Sequence, residues 1–158
     1  SNWRRLMTLH TAIVKIEEEK ISSEEAKKFI LSEQNGAESI FVGRVRNENS
    51  GKKVTAVTYD VHDQAAIKSF QSICNNAKKT FDKNANIFLE HAKGYVPVGE
   101  ISILIAVGSG HRDEAFKICR YILEEIKHKS PIWKKEHYAE GKEEWLPGHS
   151  LRPKEEIK

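Results

Sequence analysis

The run ISILIAV at residues 101–107 is apolar at every position but Ser102. A strand with no polar face has to be covered on both sides, so this one belongs in the centre of a sheet. The rest of the chain supplies candidates for its neighbours. Residues 12–16 form a short apolar strand, and 38–46 (ESIFVGRVR) are rich in β-branched and aromatic residues. After a polar loop at 47–52 containing Gly51, residues 54–61 alternate as the returning strand of a hairpin. A further strand is expected at 87–91, followed by a turn around Gly94, Pro97 and Gly99. Residues 132–138 and 144–146 read as a closing hairpin across Gly141.

Helices punctuate these strands. Ser22 and Glu25 form a capping box that opens a helix to about Gln34, ended by Asn35-Gly36. Ala66, Ile67, Phe70, Ile73, Cys74 and Ala77 recur at spacings of three and four, which predicts a helix over 64–81. Ser109-Gly110 would cap a third helix with the apolar face Ala115, Ile118, Cys119, Ile122 and Ile126, stopped by Pro131. The expected class is α+β, with about three helices on a mixed, largely antiparallel sheet.

At 158 residues the chain suits one domain, read as residues 12–150. Met7 is the single methionine, so residues 1–11 read as an N-terminal extension and the charged stretch 151–158 as a flexible tail. A formal charge of +3 is too mild for a dedicated nucleic-acid binder. No apolar run approaches the roughly 20 residues that span a bilayer. Cys74 and Cys119 fall in helices without metal-ligand spacing, and read as buried small hydrophobes of a cytoplasmic protein. The histidines show no metal pattern either, and no glycine-rich phosphate loop or serine-nucleophile motif is present.

The chemistry concentrates in three basic clusters at element ends. The segment KHKSPIWKKE, residues 127–136, carries Lys127 and Lys134 on either side of a proline turn, so both can converge on one pocket. Lys127 lies at the border of a helical apolar arc, one turn after Leu123, and neighbouring Lys129, Lys134 and Arg112 would lower its pKa if they converge. Strand alternation puts Lys134 and Glu136 on one face and Trp133 and Lys135 on the other. His111 and Arg112 open a helix, where unpaired amides and the positive end of the dipole favour an anion. Arg44 and Arg46 flank Val45 at a strand end and point to one face, a repulsive arrangement unless an anion or a carboxylate such as Glu48 lies between them. Each cluster also has a plain reading as solvated surface. Together they read as one anion site.

The blocks FVGRVRN (41–47), SGHR (109–112) and KHKSPIWKKE (127–136), in that order, resemble the large, catalytic subunit of molybdopterin synthase over roughly residues 12–146. The resemblance implies a hammerhead-like α/β fold and a homodimer that binds a small ubiquitin-like sulfur-carrier subunit at each end, giving a heterotetramer. It implies a cytoplasmic sulfurtransferase of molybdenum cofactor biosynthesis that passes sulfur from the carrier's C-terminal thiocarboxylate to cyclic pyranopterin monophosphate, forming the molybdopterin dithiolene. By position, Lys127 and Lys134 match the catalytic lysines. Arg46, His111 and Arg112 match substrate-binding residues, with Arg44, Val45, Lys135 and Glu136 lining the same site. No metal, no resident cofactor, no nucleic acid and no membrane enter that scheme.

The stretch YDVHDQAA (59–66) departs from the family pattern, with Asp60, His62 and Ala65 where a glutamate-x-tyrosine and a methionine are expected. Those three positions lie outside the basic blocks and read as changes in packing or dimer contacts rather than in catalysis. GKEEWLPGHS, at 141–150, is also unfamiliar. Two other readings stand beside the enzyme: an anion-binding scaffold that has lost turnover, and a small RNA-binding domain. Retention of both Lys127 and Lys134 speaks against the scaffold, since arginine alone would bind phosphate.

Overall fold

The computed structural model describes residues 7–146. The elements run β1 (Leu9–Lys15), α1 (Ser23–Ile30), β2 (Ala37–Arg44), β3 (Glu48–Asn49), β4 (Lys52–Val61), α2 (Asp63–Thr80), β5 (Asn86–Pro97), β6 (Ile101–Ser109), α3 (Arg112–Lys129), β7 (Ile132–Tyr138) and β8 (Glu143–Trp145). Three helices with a mixed sheet is the expected α+β class. Strand β6 sits between β2 and β5 and is buried from Ser102 to Ser109, as its two apolar faces require. The sheet continues β5-β4-β7-β8, and every pairing is antiparallel except β1 beside β5.

Several local expectations change. β2 pairs with β6 and not with β4, so the hairpin read across 38–61 does not form. The real hairpin is tighter: β3 pairs with β4 through Asn49↔Lys52, closed by Ser50 and Gly51 at φ 51° and 79°. Positive φ at both central residues is the type I′ pattern, whose twist matches that of paired strands. β5 runs on through Gly94, which adopts φ 102°, to Pro97, well beyond the strand expected at 87–91. β1 begins at Leu9, inside the stretch 1–11 that reads as an extension, because Leu9 to Lys15 pair in register with Ile87 to Lys93. Helix α1 stops at Ile30, four residues early, with Ser22 capping Glu25 N–H as the sequence implies. Residues 1–6 of the extension and the tail 151–158 lie outside the described residues, as does 147–150.

Helices α2 and α3 bury the faces read from their spacing: Ala66, Phe70, Ile73, Cys74 and Ala77 on one, and Ala115, Ile118, Cys119, Ile122 and Ile126 on the other. The core between them and the sheet holds Phe70, Leu89, Leu104, Ile105, Ile118 and Ile122, all at 0% exposure. Close approach of β2 to β6 depends on Gly43, where an added Cβ would stand 2.6 Å from Ile103 Cγ2. Just beyond it the β2 register shifts between Gly43 and Arg44, and the chain leaves the sheet carrying its two arginines. Among the described residues no helix is long and apolar enough to cross a membrane.

Candidate active site

A cleft of about 110 Å³ opens where β7 lies against β4 and the β2–β3 connection, lined by Arg44, Val45, Arg46, Tyr59, Lys134 and Glu136, with Glu48, Asn49 and Val57. Five of the residues singled out in the sequence therefore meet. Arg44 and Arg46 are exposed at its mouth, and Arg44 Nη1 donates to the Gly99 carbonyl at 2.7 Å. Val45 between them turns inward to 5% exposure, with its N–H and carbonyl taken by Glu100 and Gly99. Its contribution is an apolar wall.

Lys134 stands opposite Tyr59 in the β4–β7 register, and Glu136 stands opposite Val57. Alternation puts both Lys134 and Glu136 on the cleft face, as expected. Burial holds the Lys134 pKa below the ordinary lysine value; Lys127 and Arg46 push it the same way and Glu136 opposes them. A lowered lysine offers more neutral amine near neutral pH, and as an ammonium it is a better proton donor. The sequence expects Lys129, Lys134 and Arg112 to converge on Lys127. Only Lys134 is near. Lys129 pairs with Glu125 at 2.7 Å, and Lys127 is exposed in the last turn of α3, where its charge also suits the helix dipole.

Under the cleft floor lies His91 on β5, at 1% exposure. Its Nδ1 is 2.8 Å from the Ala92 carbonyl, and its ring meets Tyr59 edge-on at 5.0 Å between centroids. Burial, with Lys134 nearby, lowers its pKa to about 4, so it is neutral. The Tyr59 phenol is pushed up by burial, despite a bond to Ser102. Neither residue is among the site residues that the sequence singles out: the histidines, His91 among them, lack metal-ligand spacing, and Tyr59 only opens the divergent 59–66 stretch. The register brings Tyr59 into the cleft beside Lys134. The available signal was the alternation of 54–61, which points Val57 and Tyr59 to one face.

Two expectations about the site fail within a single chain. Lys135 projects from the other face of β7, where it pairs with Glu143 at 3.2 Å and lies over the Trp145 ring, so it does not line the cleft. His111 and Arg112 lie at the opposite end of α3 from Lys127. Fifteen residues of helix separate Arg112 from Lys127, about 22 Å at helical rise. The one-site reading therefore fails for these two. Nor does Ser109 cap that helix: its hydroxyl donates to Asp82 Oδ2, and the N-cap is His111 without a side-chain bond. The uncapped amides keep their preference for an anion, although Asp113 and Glu114 occupy the first turn. Among the described residues no group of three or more His, Cys, Asp or Glu could hold a metal ion.

An α+β fold whose cleft sets a half-buried lysine beside two exposed arginines has the charge to hold an anionic substrate. The model of the family described as MoaE protein matches residues 16–129. The molybdopterin synthase catalytic subunit of Synechococcus elongatus is 41% identical over 126 residues, covering 80% of this chain and 76% of that protein. The crystal structure of molybdopterin synthase from Staphylococcus aureus superposes with a TM-score of 0.79 at 31% identity, covering 87% of this chain and 96% of that one. A complex of subunits 1 and 2 of molybdopterin-converting factor from Helicobacter pylori superposes with a TM-score of 0.72 over 91% and 94% of the two chains; at 22% identity it speaks for the fold alone. The chain belongs to the MoaE protein family, and is an enzyme of molybdenum cofactor biosynthesis.

Proposed function

We propose that this chain is the catalytic subunit of a molybdopterin synthase. It would take sulfur from the C-terminal thiocarboxylate of a small ubiquitin-like carrier and transfer it to cyclic pyranopterin monophosphate, two transfers giving the dithiolene. The observation that carries this reading is the convergence of Lys134, Arg46 and Arg44 on one cleft, with the Lys127 charge felt at Lys134. Both reactants are anions, and fixed cations in a partly dry cleft stabilise charge that develops during transfer. We assign Lys127 to the carrier terminus, as acid/base or as a transient amine partner. Lys134 would polarise the pterin side or protonate a leaving oxygen. No resident metal or cofactor is part of the scheme: the cleft cations repel a divalent ion, and the sulfur arrives with the carrier.

The scheme includes a homodimer core and a heterotetramer with the carrier, as the family resemblance implies. Geometry favours a dimer. The cleft, about 110 Å³, is well below the roughly 300 Å³ of a small-molecule site. The anion-seeking start of α3 is held far from it in the same chain. A two-fold partner could bring its own His111 and Arg112 to complete each cleft. The setting we infer is cytoplasmic, which suits the free buried thiols of Cys74 and Cys119.

Reconstitution tests this. Wild-type protein, thiocarboxylated carrier and cyclic pyranopterin monophosphate should yield molybdopterin, detected by its fluorescent oxidation product, while Lys127→Ala yields almost none. A folded Lys127→Ala with near-normal turnover would sink the lysine assignment. Carrier binding without product from wild type would favour the scaffold reading.

A further inference from the structure

Glu136 carries a carboxylate at 6% exposure, two residues from Lys134 on the same face of β7. A carboxylate in such a place would ordinarily take the nearest cation. Here its oxygens are taken by neutral donors. Asn49 Nδ2 stands 2.9 and 3.0 Å from Oε1 and Oε2, and the Tyr138 hydroxyl donates to Oε1 at 3.0 Å. Neutral donors hold a carboxylate against an ammonium only if their own positions are fixed. Tyr138 is fixed by β7. Asn49 is fixed by the β3–β4 hairpin, whose turn forces Ser50, a residue with a Cβ, to φ 51°. Positive φ outside glycine is uncommon, and strain of this kind gathers at sites where a neighbouring side chain must be aimed.

We propose that Asn49 is a positioning residue of the transfer site: its amide, held by the Ser50-Gly51 turn, keeps the Glu136 carboxylate from collapsing onto Lys134, which leaves the lysine free for substrate. This rests on the sulfur-transfer reading only for its catalytic consequence. The groups facing Lys134 are Arg46 from the β2–β3 connection, Tyr59 from β4, His91 from β5, Lys127 from α3 and Glu136 from β7. Of these only Glu136 favours the ammonium, and at its present separation it is outweighed by burial, Lys127 and Arg46. In contact it would neutralise the lysine as an ion pair and raise its pKa.

Competitive acetylation with acetic anhydride across pH, read at Lys134 by mass spectrometry, tests this without requiring activity. In Asn49→Ala, Lys134 acetylation near pH 8 should fall at least about threefold, as the pairing with Glu136 raises its pKa. In Asn49→Ala/Glu136→Gln it should return to the wild-type rate or above, because the amide cannot form the ion pair. In the reconstituted assay, Asn49→Ala should move any alkaline limb of the kcat profile governed by Lys134 to higher pH. Unchanged acetylation in Asn49→Ala, or equal loss in the double variant, overturns the proposal. Failure of wild type to make product would sink the transfer reading and leave the acetylation result to decide the role of Asn49.

Discussion

Tyr59 and Lys134 are cross-strand neighbours, paired in register between β4 and β7, and both line the cleft. The pairing joins a segment that departs from the family pattern to the segment that matches it best. Tyr59 is buried to 7% exposure and keeps a neutral phenol, so it gives Lys134 an apolar flank with a polar tip. The divergent stretch therefore begins inside the site, and its first residue helps to set how dry the lysine is.

Holding the Lys134 ammonium half-buried among other cations costs stability. The Lys134 pKa is lowered in the folded state, so between the folded and unfolded pKa values the unfolded chain binds more protons and stability rises with pH. Below both values the cost is fully present. Replacing Lys134 by Met should therefore raise stability near neutral pH, measured by urea unfolding, while sulfur transfer falls by about 100-fold or more, the usual scale of a lost proton-transfer group. Lower stability in Lys134→Met, with wild-type m-value, would show that the amine contributes to the fold.

Much of this was legible from residue pattern. Periodicity gave the helix faces of α2 and α3, and two-sided apolarity placed β6 at the centre. Alternation along 132–138 separated Lys134 and Glu136 from Lys135. Partner choice between strands was not legible, because β2 and β4 are both acceptable neighbours for many strands, and the close approach of Gly43 to Ile103 shows only in the structure. The 47–52 loop hid a hairpin because Ser50-Gly51 lacks the Asn-Gly or Asp-Gly signal of that turn. His111 and Arg112 looked convergent with Lys127 because sequence shows that both are helix ends, but the length of α3 sets them apart.

His91 gives the acid side of the stability profile. It is held neutral with a pKa of about 4 in the folded protein, against 6.5 when free. The unfolded chain gains its proton first as pH falls through 6.5, so stability is full above that value and is lost progressively towards pH 4. The loss attributable to this ring is on the order of 3 kcal/mol. Urea unfolding between those pH values should show a slope that His91→Gln largely lacks. Equal slopes in both proteins would mean that other groups govern acid unfolding.

The division of basic residues along α3 predicts complementation between subunits. Lys127→Ala and Arg112→Ala homodimers should each be nearly inactive. Co-expressed, random pairing makes half the dimers mixed, and each mixed dimer has one intact cleft of two, so activity should recover to about a quarter of wild type. Recovery requires that Arg112 act on the partner's cleft. No recovery, with mixed dimers shown by native mass spectrometry, would mean that Arg112 acts within its own chain or outside the site.

The most direct test of the cleft as the transfer site is to capture the carrier in it. A carrier whose C-terminal glycine ends in an aldehyde would form an imine with the amine it meets, and borohydride would fix the bond for peptide mapping. Attachment at Lys127, with Lys134 as the minor site and loss of both in Lys127→Ala/Lys134→Ala, is the expected result. Attachment at a lysine remote from the cleft, such as Lys68 or Lys117, undiminished in that double variant, would contradict it.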